Sequence, residues 1–167
     1  GFIFGWKQLP ENGELLIITG GEKDVMTLAA KGFNAITLNS ETATLPKNIV
    51  DELKLRFKTI LVLYDNDETG LKQSNILAVA HGLHRLVLPT LQNNGKDISD
   101  YFANGETIEK FNNLLLTAIQ SPAPVELDVE KSVYNAVELL ARGEVEQQYL
   151  MEPIFPQKGS AVLAGKP

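Results

Sequence analysis

Cysteine is absent from this 167-residue chain, and histidine occurs only twice, as His81 and His84. The first absence excludes disulfides and thiolate metal sites. The second leaves little from which to build a zinc centre. No apolar run approaches the roughly 20 residues that span a bilayer, and no segment reads as a signal peptide. Basic blocks are missing too: the net charge is −6, from 15 Lys and Arg against 21 Asp and Glu. A dedicated duplex-binding module would carry a basic stripe, so that class is disfavoured, although a nuclease or polymerase site is itself acidic. The single tryptophan, Trp6, reads as a packing anchor rather than a base-stacking platform. These absences lead to the expectation of a cytoplasmic protein without a membrane partner. The chain begins at Gly1 rather than methionine, which reads as a piece of something longer.

What is present organises itself around residues 60–70. Ile60, Leu61, Val62 and Leu63 form a continuous apolar run, the habit of a central parallel strand buried on both faces. The run stops at Asp65 and Asp67, followed by Gly70 and a helical pattern. In an open α/β sheet, ligands collect beyond the carboxyl ends of the strands. Two carboxylates that close repel each other, and a divalent cation is the simplest compensation.

Around this stretch the pattern alternates. Residues 15–19 read as a first strand, ending at Gly20-Gly21; Glu22 opens a helix whose inner face is Val25, Leu28 and Ala29, closed by Gly32. Residues 35–38 read as a second strand. Pro46 starts a helix facing inward through Ile49, Val50, Leu53 and Phe57. Residues 68–82 are expected to be helical with Ile76, Leu77, Ala80 and Leu83 inside, and 85–88 to form a fourth strand. A polar loop from Pro89 runs through Gly95-Lys96-Asp97 and ends at Tyr101-Phe102, and a last helix over 106–120 turns Ile108, Phe111, Leu115 and Ile119 inward. The fold class expected is therefore α/β: a four-stranded parallel Rossmann-like sheet flanked by helices, with right-handed crossovers. Glu22 and Asp24, Asp65 and Asp67, and Asp97 each follow a strand and fall on one rim of that sheet.

Residues 1–12 read as a lead-in, 13–120 as the α/β domain and 121–128 as a Pro-containing linker. In 129–167, Val129, Val133, Val137 and Leu140 give a helical extension. The end, Gly159 through Gly165-Lys166-Pro167, reads as a strand followed by the first half of a phosphate-binding loop. The remaining glycine, lysine and Ser/Thr of such a loop are absent, so this segment is expected to be the truncated leading edge of a P-loop ATPase domain.

Taken together, Ile17-Ile18-Thr19-Gly20-Gly21-Glu22-Lys23-Asp24, Leu63-Tyr64-Asp65-Asn66-Asp67-Glu68-Thr69-Gly70 and Lys96-Asp97-Ile98-Ser99-Asp100 resemble the toprim domain shared by bacterial-type primases, topoisomerases and some nucleases. The order of parts is most similar to primase-helicases of phages and mobile elements. The resemblance implies that Asp65 and Asp67 are a metal-binding pair, that Asp24 matches the carboxylate of the first helical turn, and that Asp97 and Asp100 supply the acidic position after the fourth strand. It implies Mg²⁺ (or Mn²⁺) as cofactor, single-stranded DNA and nucleotides as partners, a fused ATPase or helicase domain, and nucleotidyl transfer in primer synthesis.

One position departs from the family. The glutamate that ends the first strand, a general acid/base or metal ligand, is replaced by Gly20, which has no side chain with which to do either. Glu22, two residues on, is the stand-in if it folds back; otherwise it simply favours the positive end of its helix. A non-catalytic metal- and nucleotide-binding module, or a nuclease on the same acidic frame, are the alternatives.

The bland readings are specific. Asp65 and Asp67 make a turn with an Asp helix cap, and Lys23 and Lys96 are either solvated or reach phosphates. An EF-hand loop is excluded because its twelfth position is Ile76. A haloacid-dehalogenase-type phosphatase is set aside because that family places the motif on its first strand and needs later basic and acidic partners that this sequence does not offer. Lys54, Arg56 and Lys58 read as an exposed helix end, Tyr64 as packing beneath the acidic groups, and the histidines as having no catalytic role.

Overall fold

Residues 16–19 and 60–63 are apolar apart from Thr19, and their side chains alternate between two faces, so these strands can only be stable inside a sheet covered on both sides. In the computed structural model they are the two central strands. The structure describes residues 3–38 and 44–124, together with the backbone of residues 149–151 and 155–156. The elements in order are β1 (Ile3–Phe4), β2 (Gly13–Thr19), α1 (Glu22–Ala30), β3 (Asn34–Leu38), α2 (Lys47–Arg56), β4 (Phe57–Leu63), α3 (Glu68–His81), β5 (His84–Arg85), α4 (Ile98–Ala103) and α5 (Ile108–Gln120). The sheet order is β1-β3-β2-β4-β5. β2 runs parallel to both neighbours, with Thr19 opposite Thr37 of β3 and Leu63 of β4.

The core lies in two layers. Leu16, Ile18, Ile36, Ile60 and Val62 pack with Val50, Leu53 and Leu77 of α2 and α3. Ile17, Leu61 and Leu63 pack on the opposite face with Val25, Leu28, Tyr101, Phe111 and Leu115 of α1, α4 and α5. The one-residue alternation between Ile17 and its neighbours assigns each face.

The expected class holds, with differences in detail. The sheet has five strands rather than four, because Ile3 and Phe4 of the lead-in pair antiparallel with Leu38 and Thr37. Two residues carry no periodicity, so that strand had no signature in the sequence. The fourth strand of the pattern is only His84–Arg85; Leu86 and Leu88 are buried beyond it without a ladder of their own. Residues 98–103 form a short helix where a loop was expected, capped by Asp97. Ile76 and Ile108 are exposed rather than inward, while the neighbouring Leu77 and Phe111 are buried. Arg56 is not a free helix end: it stacks 5.3 Å over the Trp6 ring and donates to the carbonyls of Leu9 and Pro10.

The chain divides into two units, Gly1–Leu127 and Asp128–Pro167. In the second, β6 (Tyr149–Met151) pairs antiparallel with β7 (Phe155–Pro156). The helical extension expected at 129–140 and the half phosphate-binding loop at 165–167 lie outside the described residues. Among the described residues, no helix is long and apolar enough to cross a membrane.

Candidate metal and phosphate site at the carboxyl rim

Strand order decides where a site can form. From β2 the chain crosses to β3 on one side, then returns past β2 to β4 on the other. The crevice between the carboxyl ends of β2 and β4 is therefore the topological switch point, the place where open α/β sheets bind ligands. Gly20, Gly21 and α1 leave from one wall of it, Asp65 and Asp67 from the other.

Asp67 is the N-cap of α3. Its Oδ1 accepts from the Gly70 N–H at 2.9 Å, which fixes the side chain and leaves Oδ2 to face outward. Gly70 is required by close approach, because a Cβ there would collide with the Asp65 carbonyl oxygen and lie 2.9 Å from both the amide nitrogen and the carbonyl carbon of Asp65. The helix thus sits directly on the Asp65 backbone. Asp65 Oδ2 and Asp67 Oδ2 converge on one cationic atom, Lys96 Nζ, at 2.8 and 2.9 Å. The Lys96 ammonium is accordingly held well above its ordinary pKa by its bonds to the two aspartates. The Gly70 N–H first, and Lys96 second, hold the Asp67 carboxyl below its ordinary value.

The strand end is tied to the opposite loop through Asn66. Its N–H donates to the Lys96 carbonyl at 2.7 Å and its Nδ2 to the Leu88 carbonyl at 3.1 Å. That loop carries the second acidic group. Asp97 repeats the cap geometry on α4, accepting from the Asp100 N–H at 2.7 Å through Oδ1, while Oδ2 takes Lys23 Nζ at 2.7 Å. Lys23 Nζ lies 3.9 Å from Asp100 Oδ1, and Asp100 Oδ2 accepts from the Lys96 N–H at 3.0 Å.

Asp24 is different in kind. It is only 4% exposed, and its Oδ1 accepts from the Ser99 hydroxyl at 2.7 Å. Burial raises its pKa above the ordinary carboxylate value; the Ser99 hydroxyl opposes this, and the charges of Asp97 and Asp65 add to it. The three acidic segments therefore feel one another across the rim. They are nonetheless split into an Asp65–Lys96–Asp67 clamp, an Asp97–Lys23–Asp100 clamp and a Ser99-bound Asp24. Among the described residues, no three acidic or histidine side chains come together as one metal-binding group. Glu22 is exposed in the first turn of α1, and among the described residues no hydrogen bond or ion pair joins it to the others. Asn66 and Ser99 lie within the quoted motifs but are not among the site residues expected from them; the paired Lys-Asp steps at 23–24 and 96–97 are the available clue to the clamps.

Comparison with known proteins assigns this frame. Residues 17–102, just over half of the 167, match the Toprim-like family. The chain belongs to that family. Toprim-like domains in general bind divalent metal ions. Among solved structures, this Toprim-like chain is similar to the DnaG catalytic core, with 22% identity and a TM-score of 0.56 over 70% of this chain and 39% of that one. That likeness establishes the fold. The primase fragment of the bacteriophage T7 primase-helicase protein matches at 24% identity and a TM-score of 0.48, over 70% of this chain and 48% of that one. A structure of bacteriophage T7 lagging-strand DNA polymerase interacting with primase domains bound to an RNA/DNA hybrid and dTTP gives 22% identity and 0.47, over 73% and 61%. The chain thus spans less than two thirds of each of these three. No curated protein sequence matches it.

The donor set of this Toprim-like rim suits a hard divalent cation. Asp65 and Asp67 present two carboxylate oxygens to a single positive charge, and Mg²⁺ is commonly bound by one or two carboxylates plus the phosphates of a substrate. In this structure the positive charge that both carboxylates meet is the Lys96 ammonium.

Proposed function

We propose that this chain is the toprim domain of a primase-helicase-like replication protein, carrying out Mg²⁺-dependent (or Mn²⁺-dependent) nucleotidyl transfer to make RNA primers on single-stranded DNA. The observation that carries this reading is the convergence of Asp65 and Asp67 on one cation at the switch point of a Toprim-like sheet. In this reading Asp65 and Asp67 hold the metal, Asp97 and Asp100 hold a second cationic position, and Asp24 supports them. A bound divalent ion would supply charge neutralisation for the phosphates and orient the attacking 3′-hydroxyl. The protein's own part is positional. The Gly70 and Asp100 N–H groups each lock one carboxylate oxygen, so the other is presented without loss of rotamer freedom at binding. In this reading Lys23 and Lys96, which lie on the rim carboxylates, would meet phosphate oxygens, and Ser99 fixes the Asp24 carboxyl. Domain limits follow the same reading: 13–120 is the toprim domain, 121–128 a linker, and 129–167 the leading edge of a P-loop ATPase domain in a cytoplasmic protein.

Gly20 favours a second reading. Without the family glutamate, and with Glu22 outside the clamps, the rim binds metal and nucleotide or DNA strand for a fused ATPase without catalysing transfer. Template-directed primer synthesis by the full-length protein separates the two. The first reading expects RNA products that Asp65→Asn abolishes. An inert wild type that still binds Mn²⁺, and gains synthesis on Gly20→Glu, establishes the second instead.

A further inference from the structure

The atom that the two aspartates hold belongs to the chain itself. Lys96 is pinned on both sides of its main chain, its carbonyl by the Asn66 N–H at 2.7 Å and its N–H by Asp100 Oδ2 at 3.0 Å. Its side chain is half exposed, and the pinned main chain keeps the ammonium within reach of the rim. Asp65, Asp67 and Lys96 together carry one net negative charge. A divalent cation added to the two aspartates alone gives a neutral cluster. Added beside a tethered lysine, it gives an excess positive charge and an ammonium stripped of both partners. That excess calls for an anion at the same place.

We propose that Lys96 is a competing counter-ion, displaced from Asp65 and Asp67 by the divalent cation and then bound to a phosphate oxygen of the arriving nucleotide. Metal and phosphate therefore bind together better than either binds alone. This rests on the reading of Asp65 and Asp67 as metal ligands. The coupling is reciprocal: the anion strengthens metal binding by the factor by which metal strengthens anion binding. Lys23 is a useful contrast, since its ammonium lies on Asp97 and Asp100 and not on the pair in question.

The test is calorimetric titration of the 167-residue chain with Mn²⁺, with and without inorganic phosphate, for wild type, Lys96→Met, Lys96→Arg and Asp65→Asn. Removing two partly exposed ion pairs that compete with the metal tightens Mn²⁺ binding by roughly threefold to thirtyfold in Lys96→Met without phosphate. Phosphate then tightens Mn²⁺ binding in wild type and in Lys96→Arg, and much less in Lys96→Met. If wild type binds Mn²⁺ through Asp65 but Lys96→Met binds it equally or more weakly, the counter-ion role is overturned while the metal site stands. If Lys96→Met binds more tightly yet keeps the full phosphate effect, the phosphate half is overturned. Absence of Mn²⁺ binding in every variant overturns both the inference and the metal reading beneath it.

Discussion

Gly70→Ala sets two ordinary effects against each other at the base of the site. Alanine favours a helix over glycine by about 1 kcal/mol, so propensity alone predicts a more stable protein. The new Cβ, however, meets the Asp65 backbone, lying 2.9 Å from its nitrogen and its carbonyl carbon. Backbone between a central strand and a helix start cannot yield as a side-chain tip does. Overpacking of this kind costs about 1–3 kcal/mol, here at the upper end. The net expectation is destabilisation by about 1–2 kcal/mol, or a fall of about 0.5–1 M in the urea midpoint. Because α3 must lift from Asp65, the clamp opens and Mn²⁺ binding weakens as well. Gly32→Ala is the matched control. That position has a φ of +88° but nothing within 4 Å of a Cβ, so its cost of about 1–2 kcal/mol is conformational and Mn²⁺ binding is unaffected. A Gly70→Ala protein with an unchanged or raised midpoint would refute the packing argument.

Asp24→Asn keeps an acceptor for Ser99 while removing a buried charge. Burial raises the Asp24 pKa, so the folded state holds that proton more tightly than the unfolded one, and wild-type stability is lost as pH rises from 3.8 through the raised folded value. The variant escapes this loss: it is expected to match wild type in acid and to exceed it near neutral pH, measured by denaturant melts at several pH values. A neutral-pH loss instead would contradict the assignment. Asp67→Ala removes a cap and costs about 1 kcal/mol, whereas Asp67→Asn retains the Gly70 bond and costs less. The Asp67 pKa is lowered, so its stabilising share is present above the ordinary carboxylate value and fades as pH falls through the folded one, visible as an acid limb missing from Asp67→Asn. Phe111→Ala, at a fully buried ring packed edge-on to Phe33 and Phe102, is expected to cost about 3–5 kcal/mol in the same melts.

The central strands were legible because burial on both faces leaves a run such as Ile60 to Leu63 with no other stable home. Helix limits were legible where glycine must take positive φ, as at Gly32 and Gly82. Ile3–Phe4 and the helix at Ile98–Ala103 were not, since each is too short for a period to show and depends on tertiary partners: β3 in one case, α1 in the other. For the site, the residue types and their common rim could be read from spacing. The division of labour within each side chain could not. Asp67 is at once the bland helix cap and a charge-presenting group, with one oxygen for each task. The choice of counter-ion is likewise a matter of distance, so Lys23 and Lys96 remained ambiguous until the loops were seen to cross-pair.

Anomalous diffraction from a crystal soaked in Mn²⁺ tests the central claim most directly. The account predicts a peak between the Asp65 and Asp67 carboxylates, with the Lys96 ammonium displaced from both. A soaked crystal with Lys96 still bridging the two aspartates, and no density between them, would contradict it.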